Sequence, residues 1–502
     1  MPLPAVLGID IGTSSVKAVL VDQSARVIAG GRVAYATAQP GPGLSEQRPE
    51  DWREAAIGAV RAALDAAGDV AVAAISFSGH MSAPVLVGAD GTALGPCHTI
   101  TDQRAAAEAD CIAPALADAL ARRTGNLPGT HLTLPKLMWW RDHAPEVWAQ
   151  TAAILGPKDW LRLWMTGDVA SDPTDAGNSM LFEAGRWGFA EDLAAAAGIA
   201  FDKLPRLRET DAIAGPLLPG PAAALGLPAG IPVVTGAADM PAMLLGAGMD
   251  LASDMSVTIG TSANVIAGLP GVEPALVGRM NTLPYPEGPQ LYAIASHFGG
   301  GGAIAWLTAL LSGAARPDPA FIAPIAEEAA RVPTGSDGLI FLPYLSGGGS
   351  PTFDNAARGA FLGLSMAHGR AHMLRAILEG VSADVAASLD LLGAIAPRRR
   401  ILFSGGGARL PFWPQLLADI SGLPVVSASV ADASTLGAGL IAGVGIGWFG
   451  GSLASARKLV APQGPATEPR SSAETAELRR RFDKAKAARR PDLLAPQPLV
   501  SA

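Results

Sequence analysis

The chemistry of this chain concentrates between Pro232 and Val265, where an apolar run ends in Gly236, Ala237 and Ala238 and leaves one carboxylate, Asp239, at its mouth. Small residues let a backbone approach a ligand closely, so an acid just after them faces whatever is bound. Further on, the tetrapeptide Ile-Gly-Thr-Ser occurs at Ile259 to Ser262, and the same four residues stand near the N-terminus at Ile11 to Ser14. Both copies lie between apolar, β-branched runs and read as strand, turn, strand. A turn made of Gly12, Thr13 and Ser14, or of Gly260, Thr261 and Ser262, offers successive N–H groups and hydroxyls with no bulky Cβ in the way. That suits a cluster of anionic oxygens. One such turn is only a turn. Two of them, one in each half, with an acid shortly before the second, predict two lobes facing one polyphosphate.

Three other stretches carry candidate groups. A strand over Val70 to Phe77 delivers Ser78, Gly79, His80, Met81 and Ser82 into a loop, and the carboxyl end of a buried strand is where α/β sheets place ligands. Thr101, Asp102, Gln103 and Arg104 read as an exposed polar cluster beginning a helix. Ile401 to Phe403 enter Ser404, Gly405, Gly406, Gly407, Ala408 and Arg409, followed by a helix with Trp413, Gln415 and Asp419. Strand, glycine turn and helix in that order form a nucleotide cradle. His368 and His372 have the i, i+4 spacing of helical metal ligands, but no glutamate follows the first and no third ligand is near, so they read as surface or packing residues.

The elements that must position these groups follow from periodicity. Strands at Val6 to Asp10 and Val16 to Val21 and a third near Arg26 to Ala34 open the chain as a meander. Pro49 begins a helix whose apolar stripe includes Trp52, Ala56, Ala59, Val60 and Ala63. Further helices open at Thr133 and Pro157, after the glycine run Gly299 to Gly302, and over about Gly369 to Leu392, with a strand at Phe361 to Leu364. With 502 residues the prior is two domains of about 250 residues each. Apolar residues at 49% against charged ones at 16% describe a well-buried globule. The net charge of −8 argues against nucleic acid, which calls for a basic face. Cys97 and Cys111 form no disulfide framework or metal spacing, and the N-terminus lacks a secretory signal, so the cytoplasm is the compartment implied. The uncharged window Ser434 to Ala456 is long enough to span a bilayer, yet its glycine content favours a buried helix of small residues. The charged tail helix Ala473 to Ala488 reads as a solvated cover on the body.

On these residues the chain resembles the FGGY family of carbohydrate kinases, nearest to the xylulokinases, within the actin-like ATPase superfamily. Thr133 to Asp142 resembles the first family signature and Gly359 to Gly380 the second. Asp10 to Lys17 resembles the first phosphate motif, Gly260 to Ser262 the second, and Gly405 to Ala408 with Trp413, Gln415 and Asp419 the adenosine motif. The resemblance implies an α/β fold of two actin-like (ribonuclease H-like) domains from an internal duplication, at 1–246 and 247–502, with the ligand cleft between them. It implies ATP and Mg²⁺ as cofactors and a small-molecule sugar as substrate, with no nucleic-acid or membrane partner and a homodimer as the one candidate assembly.

Phosphoryl transfer is mostly positioning and charge neutralisation, which sets the roles. Asp239 falls where the family keeps its catalytic base. Asp10 is placed to hold Mg²⁺ or its water, with Asp239 as a second metal contact, and Lys17 is the cation; the alternatives are that Asp10 caps its turn and Lys17 is solvated. His80, Met81, Ser82, Asp102 and Asp239 form the sugar set. The family's Gly-Gln-Met-His-Gly is here Gly79-His80-Met81-Ser82-Ala83, and its Ser-Gly-Glu-Arg-Thr-Pro is Ser346 to Pro351 without the charged pair. D-Xylulose phosphorylation is the expectation, with another ketose, gluconate or a polyol as the alternative. A chaperone-like ATPase would share the nucleotide core but needs no sugar loop. A dinucleotide oxidoreductase fails because no G-x-G-x-x-G follows the first strand.

Overall fold

The computed structural model describes residues 1–314, 319–428, 432–462 and 464–488. Two sheets with the same internal plan organise the chain. In the first, Leu3–Ile11 runs antiparallel to Ser15–Val21, which pairs antiparallel with Val27–Ala34. On its other side Leu3–Ile11 runs parallel to Val70–Gly79, and that strand parallel to Pro232–Val234, with Ile213–Pro216 at the edge. In the second sheet Asp254–Ile259 pairs antiparallel with Ala263–Leu269, and that with Gln290–His297. Asp254–Ile259 also runs parallel to Arg400–Ser404, which is followed by parallel Val425–Ser427. The duplicated tetrapeptide therefore occupies the same corner of two equivalent sheets.

Central strands of these sheets are covered on both faces and read as unbroken apolar runs, not as alternation. From Ala5 to Ile11 every residue is buried. The helix Pro49–Ala67, Pro at its first turn, lays Trp52, Ala56, Ala59, Val60 and Ala63 on one face of the first sheet. The other face receives Ala433–Gly445, a helix from the far end of the sequence, and here glycine is required: a Cβ on Gly8 would lie 2.3 Å from the Thr435 carbonyl oxygen. The same helix crosses Asp239–Gly246 so closely that a Cβ on Gly437 would stand 1.9 Å from the Ala242 carbonyl oxygen.

The expected buried helix of small residues is thus present over 433–445, but it does not continue to Ala456. The chain turns at Gly447, where φ is positive, and restarts at Leu453–Leu459. No helix among the described residues is long and apolar enough to cross a membrane. Two further corrections concern the C-terminal half. The strand expected at Phe361 to Leu364 is Ala360–Leu362, and His368 precedes the helix Arg370–Ile395 instead of riding on it, so the two histidines share no helical face. They stack edge to face and reach the Asp337 carbonyl and carboxylate. The tail helix Ala473–Ala487 buries Leu478 and Phe482 in the body, and its Lys486 pairs with Asp384; the Pro-rich end beyond it lies outside the described residues.

Candidate functional site

Strand register assembles the acids. Asp10 lies opposite Ser78 and Ile11 opposite Gly79 on one side of Val70–Gly79, while Ala237 and Ala238 pair with Ser78 and Gly79 on the other. Asp239 follows directly as the first residue of its helix, where a carboxylate is favoured by the helix dipole. Asp10 and Asp239 therefore meet at the carboxyl edge of the parallel strands, together with the loop His80 to Ser82.

Asp10 is buried, accepting from the Ser78 hydroxyl at 2.5 Å and from the Ser434 hydroxyl at 2.9 Å. Neither serine is legible as a partner in the sequence, since Ser434 is 424 positions away. Burial, and then the nearby Asp10 carboxylate, push the Asp239 carboxyl from 3.8 up to about 8. Tyr292, on the second sheet, has a fully buried hydroxyl without a hydrogen-bond partner among the described residues, and its proton affinity is raised by burial and by Asp239. It is a site group that no motif announced.

A cavity of about 460 Å³ meets this edge through Ser434, the donor to Asp10, and is lined by Lys17, Ser404, Gly405, Gly406, Ala408, Arg409 and Asp432 to Ser434, whereas Asp10 and Asp239 themselves do not line it. A second, of about 700 Å³, is lined by Gly260, Thr261, Gly301, Gly302, Gly406, Gly407, Arg409 and Trp413. Gly406 and Arg409 line both, so the glycine turn after Arg400–Ser404 divides one cleft into two chambers. The turn at Gly260 to Ser262 is braced by backbone: Gly301 and Gly302 donate to the Gly260 and Thr261 carbonyls at 2.7 and 2.9 Å. A Cβ on Gly300 would lie 2.6 Å from the Ser262 carbonyl carbon, which explains the glycine run.

Several expected residues sit differently. Gly12, Thr13, Ser14 and Ser262 line neither chamber; the Gly12 and Thr13 carbonyls instead take hydrogen bonds from the Tyr35 hydroxyl and the Gln47 amide. Lys17 is not solvated but paired with Asp432 at 2.9 Å. Trp413 is buried, its indole N–H donating to Ser382 at 2.9 Å, and lines the second chamber. Asp102 is not exposed: it is fully buried, and Ser45 N–H, Arg104 N–H and the Arg104 guanidinium occupy both of its oxygens. Burial alone would push this carboxyl up, but the Arg104 fork and the backbone donors hold it below the ordinary range. The helix that follows begins only at Ala106.

In the loop, His80 is buried with its ring edge-on to Trp52 at 5.4 Å, and neither ring nitrogen has a hydrogen-bond partner among the described residues. Burial, and then the charge of Lys136, push its proton affinity down to about 3, so it is a neutral imidazole. Met81 packs against the apolar cluster that holds Tyr285 and Tyr292, and Asn178 Nδ2 donates to its sulfur at 3.3 Å.

A metal fits Asp10 and Asp239 by chemistry, since Mg²⁺ takes one or two carboxylates plus substrate oxygens. The three-acid cluster Asp159, Asp172 and Asp175 does not suit a cation, because Lys158 Nζ already lies within 2.5 to 3.1 Å of all three carboxylates. That cluster is structural support: Arg162 donates to the Thr235 carbonyl, Asp172 accepts from the Thr174 hydroxyl, and the Thr174 oxygen accepts from Ala238 N–H immediately before Asp239.

Comparison with known proteins matches residues 5–246 to the N-terminal domain, and 255–446 to the C-terminal domain, of the FGGY family of carbohydrate kinases. The chain is 31% identical to a xylulose kinase of Bacillus subtilis, over 88% of this chain and 89% of that one. It is 33% identical to a xylulose kinase of Escherichia coli, over 83% and 84%. The solved xylulose kinase of Rhodospirillum rubrum superposes with a TM-score of 0.88 at 28% identity, covering 96% of this chain and 98% of that one.

Proposed function

Because this chain belongs to the FGGY family of carbohydrate kinases, we propose that it transfers the γ-phosphoryl group of ATP to a hydroxyl of D-xylulose, giving D-xylulose 5-phosphate. The observation that carries the reading is the register that sets Asp10 and Asp239 on one strand edge, with Ser434, the donor to Asp10, lining the first chamber.

In this proposal residues 1–246 hold the sugar and the base, and 247–502 hold the nucleotide. The sugar lies against His80, Met81 and Ser82, and Asp239 accepts the hydroxyl proton as the oxygen attacks phosphorus. Asp102 acts indirectly, as the anchor of Arg104, because its oxygens are already occupied. Thr261 and Gly405 to Gly407 give backbone N–H groups to phosphate oxygens, while Gly260 and Ala408 hold the two turns with N–H bonds to the Ser262 and Gly405 carbonyls and Gly12 to Ser14 lie on the opposite lobe. Lys17 and the exposed Arg409 supply positive charge at the first chamber. Asp10 and Asp239 are the residues that would hold Mg²⁺, and when bound the ion offsets charge on the phosphate oxygens.

His80 and Ser82 in place of the usual glutamine and histidine favour a second acceptor of the same class, a differently configured ketose, gluconate or a polyol. The deciding experiment is coupled ADP release across pentuloses, hexuloses, gluconate and polyols. D-Xylulose should give the highest kcat/KM. A higher value for another sugar moves the assignment to that sugar, and no release with any of them ends it.

A further inference from the structure

Lys136 is fully buried, on the inward face of the helix Thr133–His143 beside Leu134, Leu137 and Trp140. Buried ammonium groups are ordinarily paired with carboxylates. This one is not: Asp102, the carboxylate in its neighbourhood, is held by Arg104, and Nζ donates to the neutral carbonyl of Ser82 at 2.6 Å. Burial pushes its proton affinity down to about 8, opposed by Cys97 and Asp102, so the charge persists at neutral pH. A residue needed only for packing would be better apolar, since a buried charge is a poor route to stability. The expense points to the residue it holds.

Ser82 has a left-handed backbone, φ +58°, which a residue with a Cβ adopts only under constraint. The carbonyl of this residue is held by the Lys136 ammonium. Given this orientation, the Ser82 hydroxyl lies 3.4 Å from Asn178 Oδ1, the Asn178 amide meets the Met81 sulfur, and His80 leans on Trp52. All three loop side chains are aimed from one fixed turn.

We propose that Lys136 is a positioning residue for sugar recognition, clamping the Ser82 carbonyl so that the left-handed turn aims His80 and Ser82 at the acceptor and sets the discrimination among sugars. The inference rests on the reading above that this loop faces the sugar.

The test is Lys136→Met, assayed with the two best sugars of the panel, with ATP varied, and by thermal unfolding. Loss of a hydrogen bond from a charged donor predicts a fall of about 10- to 100-fold in kcat/KM for the best sugar, carried mainly by KM. The preference ratio between the two sugars should shrink at least about fivefold, since poorly placed polar groups discriminate weakly. KM for ATP should stay within about twofold and Tm should not fall. Lys136→Gln, which keeps a donor, should retain part of the ratio. An unchanged ratio in Lys136→Met overturns the proposal, as does a fall in Tm with equal losses for sugar and ATP, which would mark a structural residue. If the methionine variant does not fold, Lys136→Leu is read the same way, and failure of both to fold also overturns it. A wild type that phosphorylates no sugar instead removes the functional reading beneath it.

Discussion

Replacing Asp239 by Asn removes a base and a destabilising charge in one step, and the two effects have opposite signs. The carboxyl is raised from 3.8 to about 8 by burial and by Asp10. The native state therefore binds one more proton than the unfolded chain between about pH 4 and pH 8. Stability must fall as pH rises through that window and level off above it. Each tenfold change in proton affinity is about 1.4 kcal/mol, so the largest possible penalty is about 6 kcal/mol. Asp239 is partly exposed, so water relieves some of this, and the expected realised part is about 1 to 3 kcal/mol. Asn cannot ionise. In a domain of about 250 residues the variant should melt higher than wild type by about 2 to 10 °C at pH 8, with the difference vanishing towards pH 4. Its turnover should fall about 10²- to 10⁴-fold, because the near-isosteric amide cannot take the proton. Calorimetry from pH 4 to 8.5 beside coupled ADP release measures both. Near-wild-type turnover would refute the base assignment, and a variant that melts lower at pH 8 would refute the buried-charge argument.

Lys17→Met should raise KM for ATP by about tenfold while leaving KM for sugar within about twofold, by loss of a cation at the first chamber and of its pairing with Asp432; steady-state kinetics with each substrate varied decides it. Asn126→Ala should loosen the two halves, because this buried amide donates to the Thr282 carbonyl at 2.8 Å and accepts from its N–H at 2.9 Å, sealing the edge strand Asn281–Tyr285. ATP hydrolysis without sugar should then rise several-fold relative to sugar-dependent turnover, since a cleft that closes poorly admits water, and an unchanged ratio counts against the clasp. The double change His80→Gln and Ser82→His should shift kcat/KM ratios across the sugar panel by about tenfold or more; ratios that do not move would mean that this loop does not read the sugar.

The local features were legible without a fold. The repeated Ile-Gly-Thr-Ser, the strand-like runs around it and the glycine turn after Phe403 each declare themselves within a few residues, because turn chemistry and apolar periodicity are short-range properties. The repeat even exposed the duplicated sheet plan, and Asp239 stood out through the small residues before it. What tertiary structure decided were the partners. Asp102 looked like a free hydroxyl-binding acid because its sequence neighbours are polar, yet Ser45 N–H and the Arg104 fork enclose it. Lys17 looked like an unattached cation, but Asp432 meets it from the far end of the chain. Ser434, in a window that hydropathy read only as apolar, donates to Asp10, and Lys136 turns inward from a family signature to hold Ser82. Hydropathy and spacing report on a residue and its near neighbours, whereas proton affinity, pairing and access depend on which distant segments pack against it. The Ser434 and Asp432 contacts form only when Ala433–Gly445 lies between the first sheet and the helix of Asp239, and those of Asp102 and Lys136 only when separate segments of the first half pack together.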